Sequence, residues 1–118
     1  MAFHASHRFA RISPRKVRPL AELIRGHFAD VALGLLRYQP QRGARLLEKV
    51  LRSALGNALD PDQHPGKTVR ADRLVVVDAR VDQGPMFKRI QPRARGMAFL
   101  ILRRMSHIHV TLEDINEF

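Results

Sequence analysis

The stretch "GPMFKRIQPRARG", Gly84 to Gly96, decides the fold, because nothing in it suits a hydrophobic core. Lys88, Arg89, Arg93 and Arg95 crowd a span with two prolines and no acidic residue. On its upstream side, from Arg73, the pattern has a period of two. That spacing predicts Val75, Val77, Ala79 and Val81 on one strand face, with Val76, Asp78, Arg80 and Asp82 on the other. Alternation fades at Gly84-Pro85 and resumes after Gly96, running into Ile108, Val110 and Leu112. Two β segments with a breaker-rich tip between them make a hairpin. With about 14 residues per arm at ~3.3 Å per residue, it would be roughly 45 Å long. A compact domain of this size has a radius of gyration of only about 13 Å. The tip must therefore protrude, and a lone two-stranded ribbon, marginal in water, is expected to gain order from whatever it enters.

Upstream, the sequence reads as the body that carries this ribbon. "FHASHRFARI" alternates loosely, which predicts a half-buried strand with Phe3, Ala5 and Phe9 on one side and His4, Ser6 and Arg8 on the other. Ser13-Pro14 starts a helix, with serine as the N-cap and proline where its missing N–H is harmless. Val17, Leu20, Ala21 and Ile24 follow at helical spacing, and Gly26 is a left-handed cap. Pro19 predicts a kink, or a helix that begins there. Asp30 is expected to cap a second helix through Leu36, ended before Pro40. A third and longest helix runs from about Gln41 to Leu59, with Ala44, Leu47, Val50, Leu51, Ala54, Leu55 and Ala58 as its apolar face. On its exposed side Arg45–Lys49 and Glu48–Arg52 fall four apart, the second pair attractive. "DPDQHPGK" reads as a plain loop. The expected architecture is α+β: three helices packed on a small antiparallel sheet with a long protruding β-hairpin. It forms one domain over 1–118, with a body of about 1–73 and 107–118, a hairpin of about 74–110 and a tip over 85–96.

Charge narrows the function. The 118 residues carry 45% hydrophobic residues, a formal net charge of +10 and a pI near 11.5. So large an excess on a foldable chain implies a polyanionic partner. With no cysteine, disulfides and thiolate metal sites are excluded. No apolar run approaches the ~20 residues of a membrane span, and the N-terminus lacks the order of a secretory signal. A soluble, cytoplasmic protein without membrane attachment is expected.

The cations are not scattered. Gln83 to Leu112 holds no acidic residue but Lys88, Arg89, Arg93, Arg95, Arg103 and Arg104; Ala2 to Ala21 is likewise acid-free, with Arg8, Arg11, Arg15, Lys16 and Arg18. Arginine's planar fork pairs with phosphate, and each neutralised phosphate releases counterions. One such run would read as a solvated face; two, one of them on a ribbon, point to nucleic acid. Without a recognition helix, zinc-finger spacing or dimerising heptads, phosphate and shape recognition of folded RNA is the better fit. His107 and His109 sit two apart on a strand and so face one side, but no cysteine joins them and no metal or other cofactor is expected. His4 and His7 face opposite ways. Ser106-His107 is no nucleophile–base pair, and neither a phosphate loop nor a small-molecule site is legible, so an enzyme is not expected. The rival readings are a free-standing RNA chaperone or nucleoid-type protein, and a metal enzyme around His107 and His109.

"ISPRKVRPLAELIRG" (Ile12–Gly26), "ARLLEKVLRSALGNA" (Ala44–Ala58), "VDQGPMFKRIQPRARG" (Val81–Gly96) and "RRMSHIHV" (Arg103–Val110) together resemble the bacterial large-subunit ribosomal protein family number twenty-two. The likeness covers nearly the whole chain, in order. It implies a structural constituent of the large subunit that binds 23S rRNA, helps assembly by bridging rRNA domains, and lines the nascent-peptide exit tunnel with its hairpin. Its implied partners are that rRNA, neighbouring large-subunit proteins and the nascent peptide. By position, the implied rRNA-binding residues are Arg8, Arg11, Ser13, Arg15, Lys16, Arg18, Lys88, Arg89, Arg93, Arg95, Arg103, Arg104 and His107. The implied tunnel tip is Phe87, Lys88, Arg89, Ile90, Gln91, Pro92 and Arg93. Pro19 and the apolar "MAFLIL" (Met97–Leu102) depart from the family's usual pattern.

Overall fold

The computed structural model describes residues 2–60 and 70–115. Three helices, α1 (Pro14–Ile24), α2 (Ala29–Tyr38) and α3 (Arg42–Leu59), lie between strand β1 (Ala2–Ala10) and the paired strands β2 (Leu74–Pro92) and β3 (Ala98–Asp114). The sheet is antiparallel in the order β1-β3-β2. The expected α+β architecture is therefore present. Of the loop read over "DPDQHPGK", everything beyond Asp60 lies outside the described residues.

Burial follows the predicted helical stripes. Val17, Leu20, Ala21 and Ile24 of α1 are buried, as are Ala44, Leu47, Val50, Leu51, Ala54 and Ala58 of α3; Leu55 is only half-buried. α2 adds Ala29, Ala32 and Leu36. The sheet contributes Phe3, Ala5, Leu74, Val76, Ala79, Val81, Ile108, Val110 and Leu112 to the same core. Its opposite face carries His4, Arg80, His107 and His109, and among the described residues no helix covers it. Ser106, fully buried, donates its hydroxyl to the Ile12 carbonyl at 2.6 Å and so ties β3 to the start of α1.

Several local expectations are corrected. The alternation of β2 does not run straight through: Leu74 and Val76 point into the core, Val77 is exposed, and Ala79 and Val81 point in again. A register break between Val76 and Asp78 resets the phase, since one extra residue sends every later side chain to the other face. In β1 a similar break between His7 and Ala10 puts Ala10, not Phe9, in the core. α1 begins at Pro14 and runs through Pro19, which is exposed, as is Arg15 one turn earlier. The ladder bond that proline removes thus lies on the helix's outer side, where the Arg15 carbonyl is not sealed in the core. Ser13 is the N-cap residue, but its side chain makes no capping hydrogen bond. Asp30 lies inside the first turn of α2, whose N-cap is Phe28, and its Oδ1 accepts from the Val31 N–H at 2.8 Å.

Glu48 is not on an exposed side. It is buried, with Arg52 at 2.7 Å, Arg45 at 3.2 Å and Arg37 at 3.6 Å. Arg45 also donates to the carbonyls of Leu36 (2.8 Å), Arg37 (3.1 Å) and Gln39 (2.5 Å). The last carbonyls of α2, orphaned by the helix end, are thereby satisfied by a cation where the helix dipole favours one. Gly26 has the left-handed φ of 86° that a cap requires. Its N–H donates to the Val76 carbonyl at 2.8 Å, starting the cover over the free edge of β2.

The ribbon is longer than expected. Pairing continues without a loop from Met86↔Arg104 to Pro92↔Ala98, and the chain reverses over Arg93–Met97, with Arg95 and Gly96 at φ of 62° and 71°. The β structure therefore does not pause at Gly84-Pro85; those residues form a register break and pairing resumes at Met86. The molecule measures 68 × 27 × 19 Å, with a radius of gyration of 17.7 Å. That exceeds the ~13 Å of a compact chain of this length.

Candidate nucleic-acid interface

Where the ribbon leaves the body, the start of α1 and the start of α3 face one side of it. Between them lies an open cleft of about 1210 Å³. Arg11, Ser13, Lys16 and Arg42 line it from the body; Phe87, Arg89, Ile90, Gln91, Arg103 and Arg104 line it from the ribbon, with Met105 at the junction. Among the described residues no acidic side chain lines it. Unopposed guanidinium and ammonium groups at this spacing raise the local positive potential and suit a phosphate backbone laid along the cleft. The hydroxyl of Ser13, not used for capping, sits among them. A second hollow of about 480 Å³ continues over α1 past Arg15, Lys16 and Arg42.

The structure thus brings together many of the residues expected from sequence, though not all. Arg18 is exposed, but its Nε donates to the Val81 carbonyl at 3.2 Å; Arg25 does the same to Ala79, at 2.5 and 3.2 Å. These arginines cover the outer edge of β2, which would otherwise offer unpaired carbonyls. At the ribbon's far end Arg93 lies 5.9 Å over the Phe99 ring and donates to Gln91 at 3.2 Å. Arg89 lies 5.4 Å over the Phe87 ring. Lys88, Pro92 and Arg95 are exposed and line neither hollow. Arg8 and His107 belong to a different place, the open face of the sheet, where Phe9 N–H donates to His107 Nδ1 at 3.0 Å.

That face carries three of the six histidines, His4, His107 and His109. His4 stacks on His109 with centroids 5.6 Å apart, and its Nδ1 lies 3.2 Å from Thr111 Oγ1. Burial, then the nearby Arg80 cation, hold the His109 pKa below the ordinary 6.5, with Asp82 pulling the other way from 3.5 Å. Among the described residues no group of three or more histidine, aspartate or glutamate side chains is arranged to hold a metal ion. No described helix is long and apolar enough to cross a membrane.

Sequence reading missed Arg42. It opens α3, far from both acid-free stretches, and only the packing of α3 beside α1 carries it to the cleft. The excess of cations was visible, but not which helix start would meet the ribbon.

Comparison with known proteins agrees with this arrangement of body and basic ribbon. Residues 5–113 match the family described as Ribosomal protein L22p/L17e. The chain belongs to that family. Curated relatives named Large ribosomal subunit protein uL22 match it over nearly their whole length. The protein of Rhodopirellula baltica is 65% identical over 113 residues, which is 96% of this chain and 95% of the relative. That of Maridesulfovibrio salexigens is 47% identical, over 98% of this chain and all of the relative (100%). That of Caldicellulosiruptor saccharolyticus is 46% identical, over 93% and 86%. For this L22p/L17e chain the resemblance first read from "SPRKVR" and "GPMFKRIQPRARG" is correct. The metal-enzyme reading is set aside, because the family is one of structural ribosomal proteins.

Proposed function

We propose that this chain works in the large ribosomal subunit by neutralising phosphates of separate rRNA segments at once, while its ribbon forms part of the nascent-peptide tunnel wall. As a member of the L22p/L17e family it is a structural constituent of that subunit in the cytoplasm, not a catalyst. The observation that carries the finer reading is the cleft between Arg11, Lys16 and Arg42 on the body and Arg89, Arg103 and Arg104 on the ribbon, with no acidic side chain among its described lining. RNA strands repel one another, and a cleft with cations on both its body and ribbon sides lowers the work of bringing them together. The ribbon beyond Gln83 has almost nothing buried, so it suits a role of occupying space within another structure. On this reading rRNA, adjoining subunit proteins and the emerging peptide are the partners, and the far end about the reversal over Arg93–Met97 faces the peptide.

The test separates the two parts. Replacing Arg11, Lys16 and Arg42 together should impair incorporation into large subunits in cells lacking the normal protein. Deleting the tip, by replacing Arg93–Met97 with a two-residue Asn-Gly turn, should leave incorporation intact and alter nascent-chain pausing or the action of tunnel-bound antibiotics. Assembly blocked by the tip deletion, with the body substitutions tolerated, would refute this division. Wild-type protein should also stay with large subunits through a high-salt wash; its loss would favour a loosely bound RNA chaperone instead.

A further inference from the structure

Phe9 is placed against two ordinary rules at once. Its φ is 60°, in the left-handed region that bulky side chains avoid. It is also a large apolar side chain with 52% of its surface exposed, while its neighbour Ala10, at 1%, fills the core position. Had β1 kept its alternation past His7, the phenyl ring would have been buried. The register break between His7 and Ala10 turns it out instead.

This turning-out is held in place. The Phe9 N–H donates to Nδ1 of His107 at 3.0 Å. The same imidazole meets the phenyl ring at 89°, with centroids 4.9 Å apart. The Arg8 guanidinium lies 5.5 Å from the ring centroid. A fixed aromatic ring, half open to solvent and flanked by a cation in an acid-free segment, has the make-up of a site for a nucleotide. Aromatic rings stack on unpaired bases, and an adjacent arginine neutralises the phosphate.

We propose that Phe9 is a stacking platform for one unpaired base of the large-subunit rRNA, with Arg8 against that nucleotide's phosphate and His107 fixing the ring. This rests on the rRNA-binding reading above, and adds to it a base contact on the open sheet face, away from the cleft.

The test uses the full chain and an in vitro transcript of the large-subunit rRNA from the protein's own organism. Phe9→Leu keeps an apolar side chain without a π face; Phe9→Gly removes the ring and fits a φ of 60° without strain. Both should weaken binding by about 5- to 150-fold, the range of one lost base stack. Phe9→Tyr and Phe9→Trp should stay close to wild type. The slope of log affinity against log salt should not change in Phe9→Gly, because no phosphate contact is lost, whereas Arg8→Ala should reduce it by up to about one. Thermal melting of Phe9→Gly at or above the wild-type temperature confirms that the loss is not one of folding. Wild-type affinity in Phe9→Gly or Phe9→Leu overturns the proposal. So does full rRNA affinity in Phe9→Gly with failed subunit incorporation, which would put the ring against a protein. Failure of wild-type protein to bind the transcript would instead remove the rRNA reading itself.

Discussion

The same two strands, β2 and β3, lead different lives in the two halves of the molecule. From Leu74 to Val81, and from Ser106 to Leu112, one face of each strand is packed under helices, with Leu74, Val76, Ile108, Val110 and Leu112 fully enclosed. Beyond Gln83 the pairing continues for a similar distance, yet no residue between Gln83 and Met105 is buried. Hydrogen bonding alone therefore does not distinguish the halves; burial does. Hairpins gain their stability from a covered face, and this ribbon has none of its own. Its charge is equally one-sided, with no acidic residue from Gly84 to Arg104. The inner half holds a core of its own, and the outer half is an uncovered ribbon with unopposed positive charge.

The largest expected effect breaks the comparison directly. Leu51, wholly buried, and Ile90, 73% exposed, are chemically similar side chains in opposite surroundings. Leu51→Ala should destabilise the isolated protein by about 2–5 kcal/mol, through lost transfer energy and the cavity left behind. Ile90→Ala should change it by less than about 0.5 kcal/mol. Denaturant unfolding of both variants checks this, and equal losses would mean that the ribbon folds against the body in solution.

A smaller effect belongs to the boundary. A Cβ on Gly84 would lie 3.1 Å from the carbonyl carbon and oxygen of Met105, so the two arms touch backbone to backbone there. Gly84→Ala would push against main chain that has no side-chain freedom with which to yield. A loss of about 1–3 kcal/mol is expected, with amide shift changes concentrated at Met105 and Ser106. No change would show that the two arms can part at the register break without disturbing the body.

Legibility in the sequence followed the same divide. Helical stripes such as Val17, Leu20, Ala21 and Ile24 were read correctly because one buried face imposes one period. The hairpin was legible as two alternating runs about a basic centre. What could not be read was phase: the breaks at Val77 and Phe9 leave no mark in a pattern of apolar letters, and each moved a residue to the opposite face. Glu48 and Arg42 failed for a related reason. Their places depend on how α2 and α1 meet α3, a contact between distant segments that local spacing does not encode.

The smallest expected effect concerns pH, and it too should divide the halves. The ribbon from Gly84 to Arg104 contains neither histidine nor carboxylate. His109, on the body half of β3, is a group whose proton affinity the fold lowers. Burial and Arg80 disfavour its charged form, His4 and His107 add to this, and Asp82 partly opposes them. The folded pKa lies below the unfolded value of 6.5, so between those values the unfolded chain binds more protons than the folded one. Stability from this group is therefore complete above pH 6.5 and falls as the pH drops through that value toward the folded pKa. His109→Gln, which cannot take up a proton, should flatten that part of the melting-temperature profile between pH 7.5 and pH 5. Because the opposing pull of Asp82 trims the shift, Asp82→Asn in the wild-type background should steepen it. A steeper loss in His109→Gln than in wild type would mean that the fold favours the imidazolium, and that Asp82, not burial, governs this face of the sheet.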